Sequence, residues 1–187
     1  MGYAIADAFA RMGAEVILVS GPTAIQTETS GVQRIDVTSA EEMYQACVEV
    51  IEDVSIAVFS AAVADFTPER KQSSKMKSSK AYLSLQLIPT KDIAAEMGKL
   101  KRADQVFVGF ALETENGIKH AEGKLKKKNF DLIVLNSLED EGAGFGTETN
   151  KVTMIDKSGN IDKFELKLKS EVASDVVDKT LKLLKNA

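Results

Sequence analysis

The sequence predicts an α/β domain: an open, mostly parallel sheet in three layers, with an antiparallel hairpin near the C-terminus. Residues 56–60 are apolar on both parities, as a central parallel strand covered on both faces should be. Residues 106–111 and 132–136 are two more apolar strands, and a helix over about 114–128 separates them, which is the βαβ rhythm of a parallel sheet. Residues 152–155 and 164–168 flank Lys157-Ser-Gly-Asn160, a turn-rich connection that reads as a hairpin.

The elements follow in order. Ile5, Ala8, Phe9 and Met12 recur at helical spacing, Gly13 stands where a helix stops, and residues 15–19 read as a buried strand. An opening helix of this kind normally follows a strand and a glycine-containing turn, so the expectation is that an N-terminal strand and its loop are missing before Met1. After the irregular stretch from Ser20-Gly21-Pro22, a short strand covers 32–37. Ser39 and Glu42 then form a capping box that starts a helix running to about Asp53. Residues 82–87 alternate apolar with polar, and Thr90 is placed to cap a helix through Met97. A last helix carries Ala173, Val176, Val177, Leu181 and Leu184 on one face. With no repeat and no linker, residues 1–187 read as a single Rossmann-like domain. Ligands of such sheets bind beyond the carboxyl ends of the strands, so Ser20-Gly21, residues 60–65, residues 111–113 and Asn136 are expected to line one cleft.

The 187 residues are 44% hydrophobic and 28% charged, enough for one sizeable core. A net charge of −4 argues against general nucleic-acid binding. The absence of a bilayer-length apolar run or a signal-peptide layout predicts a cytoplasmic protein without membrane partners. Cys47 lies at helical spacing with Met43, Ala46 and Val50 and reads as core, while a sole histidine, His120, supports neither a zinc site nor a serine-histidine triad. One segment stands out. Residues 67–80 carry Arg70, Lys71, Lys75, Lys77 and Lys80 against the single acid Glu69, a concentration of cations suited to a highly anionic ligand such as a nucleoside triphosphate.

Ser20-Gly21-Pro22, Ser60-Ala-Ala-Val-Ala-Asp-Phe66, Lys75-Met-Lys77, Gly109-Phe-Ala-Leu-Glu-Thr114, Lys124-Leu-Lys-Lys-Lys-Asn129 and Asp131-Leu-Ile together resemble bacterial phosphopantothenoylcysteine synthetase. This is the second domain of the bifunctional flavoprotein of coenzyme A synthesis, and the resemblance runs over essentially the whole chain. It implies ligation of 4′-phosphopantothenate to cysteine through an acyl cytidylate made from CTP, with magnesium accompanying the triphosphate. It also implies a homodimer. FMN belongs to the fused phosphopantothenoylcysteine decarboxylase domain, a possible partner that lies outside this sequence.

By the same resemblance, Lys75 is the essential lysine of a flexible lid over 67–80, reaching the α-phosphate when the lid closes. Phe59, Ser60 and Ala61 match the strand end facing cytosine, and Asp65 matches a nucleotide-contacting aspartate. Lys91, Asp92, Ile93 and Ala94 match a helix start beside the nucleotide, Phe110 a ligand-side position, and Lys124 and Lys128 lysines that contact CTP. In a simple βαβ unit the helix end bearing those two lysines is far from the strands' carboxyl ends, so reaching the cleft requires a break at Gly117 or Gly123. The family's serine- and glycine-rich start is matched only by Met1-Gly2, which leaves room for a chain that binds nucleotide without full turnover. An NAD(P)-binding reductase-like domain is the alternative, although no Gly-x-Gly-x-x-Gly occurs and no tyrosine has lysine four residues later.

Overall fold

A computed structural model describes residues 1–27, 29–70, 84–113, 117–137 and 147–185; for Glu113 and Ser137 it describes the backbone. The chain opens with α1 (Gly2–Arg11), β1 (Val16–Ser20) and β2 (Val32–Asp36), followed by α2 (Ala40–Val50) and β3 (Ile56–Phe59). A ribbon of β4 (Phe66–Pro68) and β5 (Leu87–Pro89) leads to α3 (Ile93–Leu100), β6 (Val106–Glu113), α4 (Gly117–Lys127) and β7 (Leu132–Ser137). The chain then passes through β8 (Thr149–Asn150), β9 (Val152–Asp156), β10 (Ile161–Lys163) and β11 (Lys167–Leu168) into α5 (Lys169–Leu184).

The local signals act as expected at several joints. Ser39 accepts from the Glu42 amide while the Glu42 carboxylate accepts from the Ser39 amide, so the capping box starts α2. Gly13 takes φ 88° after α1, a conformation that costs a residue without Cβ little. Thr90 does not cap α3. Asp92 does, accepting from the Ala95 amide at 3.2 Å, while the Thr90 hydroxyl donates to the Ala64 carbonyl at 2.5 Å.

Five strands make the main sheet, in the order β10-β9-β7-β6-β3. β3, β6 and β7 run parallel, and β9 and β10 are antiparallel additions. The hairpin differs from the sequence expectation: Ile161 to Lys163 pair with Thr153 to Ile155, whereas Lys167 and Leu168 pair with Asn150 and Thr149 in a separate sheet. Of the strand expected over 82–87 only Leu87 is in a strand among the described residues: residues 84–86 are not, and β5 runs over Leu87–Pro89, paired with β4; Tyr82 and Leu83 lie outside the described residues. β1 and β2 pair in parallel with each other and with no strand of the main sheet. β3 is therefore an edge strand with half-buried residues, not the covered central strand its composition predicts.

Period-two alternation divides the core into two layers. Val106, Val108, Leu132, Val134, Val152 and Met154 face α1 and α5, where Ile5, Phe9, Val172 and Val176 meet them. Phe107, Ile133, Leu135 and Ile155 face the other side, against Met97 of α3 and Ala121 and Leu125 of α4. Met12, counted on the apolar stripe of α1, is instead 64% exposed, because the helix has already ended there. Phe130 lies over Gly109, where any side chain would overlap its ring, and stacks on Phe59 with ring centroids 5.5 Å apart. Among the described residues no helix is long and apolar enough to cross a membrane.

At the amino ends of the strands, the buried Asp131 carboxylate accepts from the Phe107 amide at 2.7 Å, Lys101 Nζ at 2.5 Å and Lys157 Nζ at 3.0 Å. Lys101 is as enclosed as its partner, at 8% side-chain exposure against 3%. Removing a buried carboxylate strands the facing ammonium and the strand amide. Asp131→Ala should cost about 3–5 kcal/mol in denaturant unfolding, as expected for breaking a buried pair; a loss below about 1 kcal/mol, the worth of a surface pair, would show that this contact does not anchor the sheet.

Candidate functional site

The site forms where β3 gives way to the segment 60–65. Small residues occupy Ser60 to Ala64, so the main chain is open to approach, and Ala61, Ala62, Ala64 and Asp65 are exposed. The Thr90 amide donates to the Asp65 carbonyl at 2.9 Å, and with the Thr90 hydroxyl this fastens the segment to the approach of α3. The result is a cavity of about 360 Å³ between β3, α2 and α3. Phe59, Ser60, Ala61 and Asp65 line one part of it, and Lys91, Asp92, Ile93, Ala94 and Lys128 another. Nine residues that sequence reasoning singled out are thus brought together. Met43, Cys47 and Val50 of α2 supply an apolar wall.

Lys91, Asp92 and Lys128 are engaged in ion pairs. Lys91 Nζ donates to Glu41 at 2.8 Å and stands 4.2 Å from the centre of the Tyr44 ring, and the Glu41 hydrogen bond raises its pKa. Lys128 Nζ lies 2.9 Å from Asp92 Oδ1. Partial burial alone would raise the Asp92 carboxyl, but the hydrogen bonds from Lys128 and the Ala95 amide outweigh it and hold the pKa below its ordinary value. Burial pushes the Cys47 thiol up, which keeps it protonated and agrees with a packing role.

The expected break does not occur at Gly123, and residues 114–116, ahead of Gly117, lie outside the described residues. The helix begins at Gly117 and runs through Gly123 to Lys127, yet Lys128 still reaches the cavity. The explanation is Gly98. A Cβ there would overlap the Lys128 carbonyl, so its absence lets the end of α4 press against α3 and sets the Lys128 side chain within reach of the α3 N-cap. Lys124, one helical turn earlier, does not line this cavity.

Phe110 borders a second recess, of about 260 Å³, with Asn136, Asn150 and Lys169, and it also packs on the core. Ser20 and Gly21 border a third, of about 480 Å³. Ser60 and Ala61 line all three, so the single predicted cleft is a set of adjoining recesses around that turn. Lys75 and the other lysines of 71–80 lie outside the described residues, as does most of the proposed lid.

Sequence reasoning missed Asn150 and Lys169. Asn150 is buried and donates to Asn136 Oδ1 at 3.1 Å, and Lys169 donates to the Thr147 carbonyl. Neither carries a local signal, since both are delivered by the pairing of β9 with β7 and of β11 with β8. Glu41 and Tyr44, which the sequence did not single out as site residues, join the site through Lys91.

The folded-state Asp92 pKa is depressed, so the pairing adds stability above the unfolded carboxyl value near 3.8 and loses it as pH falls through the lower folded value. Asparagine retains the cap and removes the charge. The stability gap between the wild-type chain and Asp92→Asn should therefore be present at about pH 6 and close below about pH 3. A gap of constant size across that range, by denaturant titration, would remove the ion pair from the account.

Residues 1–184 match the family described as the DNA/pantothenate metabolism flavoprotein C-terminal domain. A protein named cysteine/cysteine sulfinic acid decarboxylase, from an unknown prokaryotic organism, is 55% identical over 184 residues, 98% of this chain and 51% of that protein. The coenzyme A biosynthesis bifunctional protein CoaBC of Bacillus subtilis (strain 168) is 40% identical over 185 residues, 99% of this chain and 45% of that protein. The chain thus spans about half the length of the curated relatives it matches. Among solved structures, the C-terminal domain of a CoaBC protein superposes with a TM-score of 0.82 at 34% identity, covering 100% of this chain and 83% of that one.

Proposed function

This chain belongs to the DNA/pantothenate metabolism flavoprotein C-terminal domain family, and we propose that it is the nucleotide-binding part of a CTP-dependent phosphopantothenate–cysteine ligase in coenzyme A biosynthesis. The observation that carries the reading is the cavity in which Phe59, Ser60, Ala61, Asp65, residues 91–94 and Lys128 converge. Nothing local in the sequence requires residues from 59–65, 91–94 and 128 to share one space.

In the proposed reaction a carboxylate oxygen of 4′-phosphopantothenate attacks the α-phosphorus of CTP. The bond to the bridging oxygen breaks and pyrophosphate leaves. The cysteine amine then attacks the acyl carbon, loses a proton, and CMP departs with the bonding pair. The protein's task is to hold two anionic substrates together and offset charge on phosphoryl oxygens. The open turn at Ser60 and Ala61 suits recognition of a base by main-chain groups, and the exposed Asp65 suits ribose hydroxyls. The start of α3 offers backbone amides to phosphate.

Lys91 and Lys128 are already engaged by Glu41 and Asp92. A triphosphate would draw one or both away from these partners, or take its neutralisation from the basic segment, where we assign the α-phosphate contact to Lys75. Magnesium would enter with the triphosphate, held by phosphate oxygens; among the described residues no cluster of three or more His, Cys, Asp or Glu is placed as a metal cage. The pantothenate partner, a homodimer, a cytoplasmic location and a companion decarboxylase domain belong to the same proposal.

Calorimetric titration with CTP and with ATP, both with magnesium, should show selective CTP binding. Equal binding of both would remove the nucleotide assignment. Carbon dioxide released from cysteine without CTP would instead favour the activity in the name of the 55%-identical relative. In a preparation that carries out the ligation, Lys75→Gln should lower pyrophosphate release by about 100-fold, the scale of removing one transition-state donor, while CTP affinity changes little. Unchanged release would take Lys75 out of the chemistry.

A further inference from the structure

The backbone of Lys91 is fastened on both sides. Ahead of it, Thr90 donates its amide to the Asp65 carbonyl and its hydroxyl to the Ala64 carbonyl. Behind it, Asp92 caps α3 and Ile93 is buried in the core. Between these fixed points the Lys91 side chain is exposed at the wall of the 360 Å³ cavity, so a change of its rotamers alone re-aims the ammonium.

Its present partners belong to α2 and stand outside that wall. Met43, Cys47 and Val50 recur at helical spacing and face the cavity, whereas Glu41, Tyr44 and Gln45 form the neighbouring stripe and do not line it. The Lys91 ammonium donates to Glu41 Oε1 at 2.8 Å and stands 4.2 Å from the centre of the Tyr44 ring. A cation rooted beside the cavity is therefore tied to an acid beyond its rim.

The two lysines of the cavity differ in what their departure leaves behind. Glu41 Oε1 also accepts from Gln45 Nε2 at 2.9 Å, so it keeps a donor when Lys91 leaves. The Lys91 and Glu41 side chains are 49% and 55% exposed, and an exposed pair of this kind is worth no more than about fivefold in an equilibrium constant. Lys128 and Asp92 are more enclosed, at 23% and 42%, and the Asp92 oxygen that meets Lys128 also accepts from the Ala95 amide as the cap of α3. Withdrawing Lys128 would leave a half-enclosed cap without its counter-charge.

We propose that Glu41 is a positioning residue that sets the anion affinity of this cavity: it holds Lys91 outside the empty cavity, and an anionic occupant takes Lys91 from it while Lys128 stays on Asp92. The identity of the occupant, the triphosphate of CTP, rests on the nucleotide reading above. The exchange itself rests on the geometry of Lys91, Glu41 and Asp92.

Calorimetric titration with CTP and with inorganic tripolyphosphate, both with magnesium at about 0.15 M salt, tests it on the wild-type chain, Glu41→Gln, Lys91→Gln and the double variant. Glutamine is a good helix former, so the first substitution leaves α2 intact. Glu41→Gln should tighten binding about threefold, within the worth of an exposed pair, and Lys91→Gln should weaken it about tenfold, as loss of a charge-assisted hydrogen bond does. With Lys91 already replaced, Glu41→Gln should change affinity by less than about 1.5-fold, because the acid then has no cation to withhold and its field at a distance is screened. In a Lys128→Gln background the gain of about threefold should remain. Unchanged or weaker binding by Glu41→Gln would overturn the proposal, as would a gain that persists without Lys91 or disappears without Lys128. Selective CTP binding that ignores Glu41→Gln would remove the exchange and leave the nucleotide reading standing. Tripolyphosphate binding that follows this pattern, with no binding of CTP, would do the reverse, and binding of neither ligand to any of these proteins would overturn both.

Discussion

A carboxylate with almost no access to water, Asp131, holds the amino ends of the sheet in register. Its oxygens accept from the Phe107 amide of β6, from Lys101 beyond α3 and from Lys157 in the β9–β10 turn, while its own carbonyl accepts from the Lys157 amide. A buried charge costs several kcal/mol unless fully met, so these partners cannot drift independently. The position of α3 follows from it, because Lys101 is the residue on which that helix ends. The cavity at the far end of the sheet inherits this order.

From that anchor, close packing carries the geometry across the α2–α3–α4 face. Gly109 admits the Phe130 ring, which stacks on Phe59 immediately before the turn at Ser60. Gly98 admits the end of α4 against α3, and the contact delivers Lys128 to Asp92. Two missing side chains thereby connect the core to the cavity wall. The ion pairs there, Lys91 with Glu41 and Lys128 with Asp92, form a rim whose cations are held by the protein's own acids. An anion drawn to such a rim would have to exchange partners with these acids, so its affinity would be the difference between two sets of contacts.

The turn at Ser60 and Ala61 is where three recesses meet, and two of the surrounding elements, β1 and β3, present open edges to each other beside it. Among the described residues β1 pairs with β2 and β3 pairs with β6, so this turn lies between two separate sheets. β6 and β7, by contrast, are enclosed from Val106 to Gly109 and from Leu132 to Leu135.

What the sequence determined by itself was whatever depends on near neighbours. The Ser39–Glu42 box, the stop at Gly13, the apolar runs of β6 and β7 and the stripe of α5 rest on spacings of two to four residues, and each formed where those spacings place it. The residues around the cavity were legible only through resemblance of several motifs taken together. Tertiary structure decided the rest: Asp92 rather than Thr90 as the cap, residues 161–163 rather than 164–168 as the hairpin arm, Asn150 beside Asn136, and Lys128 in the cavity without a helix break. Each of these is a choice between partners distant along the chain, or between positions of similar local propensity. Strand register, a carbonyl needing a donor, or the room left by a glycine makes that choice once the layers pack.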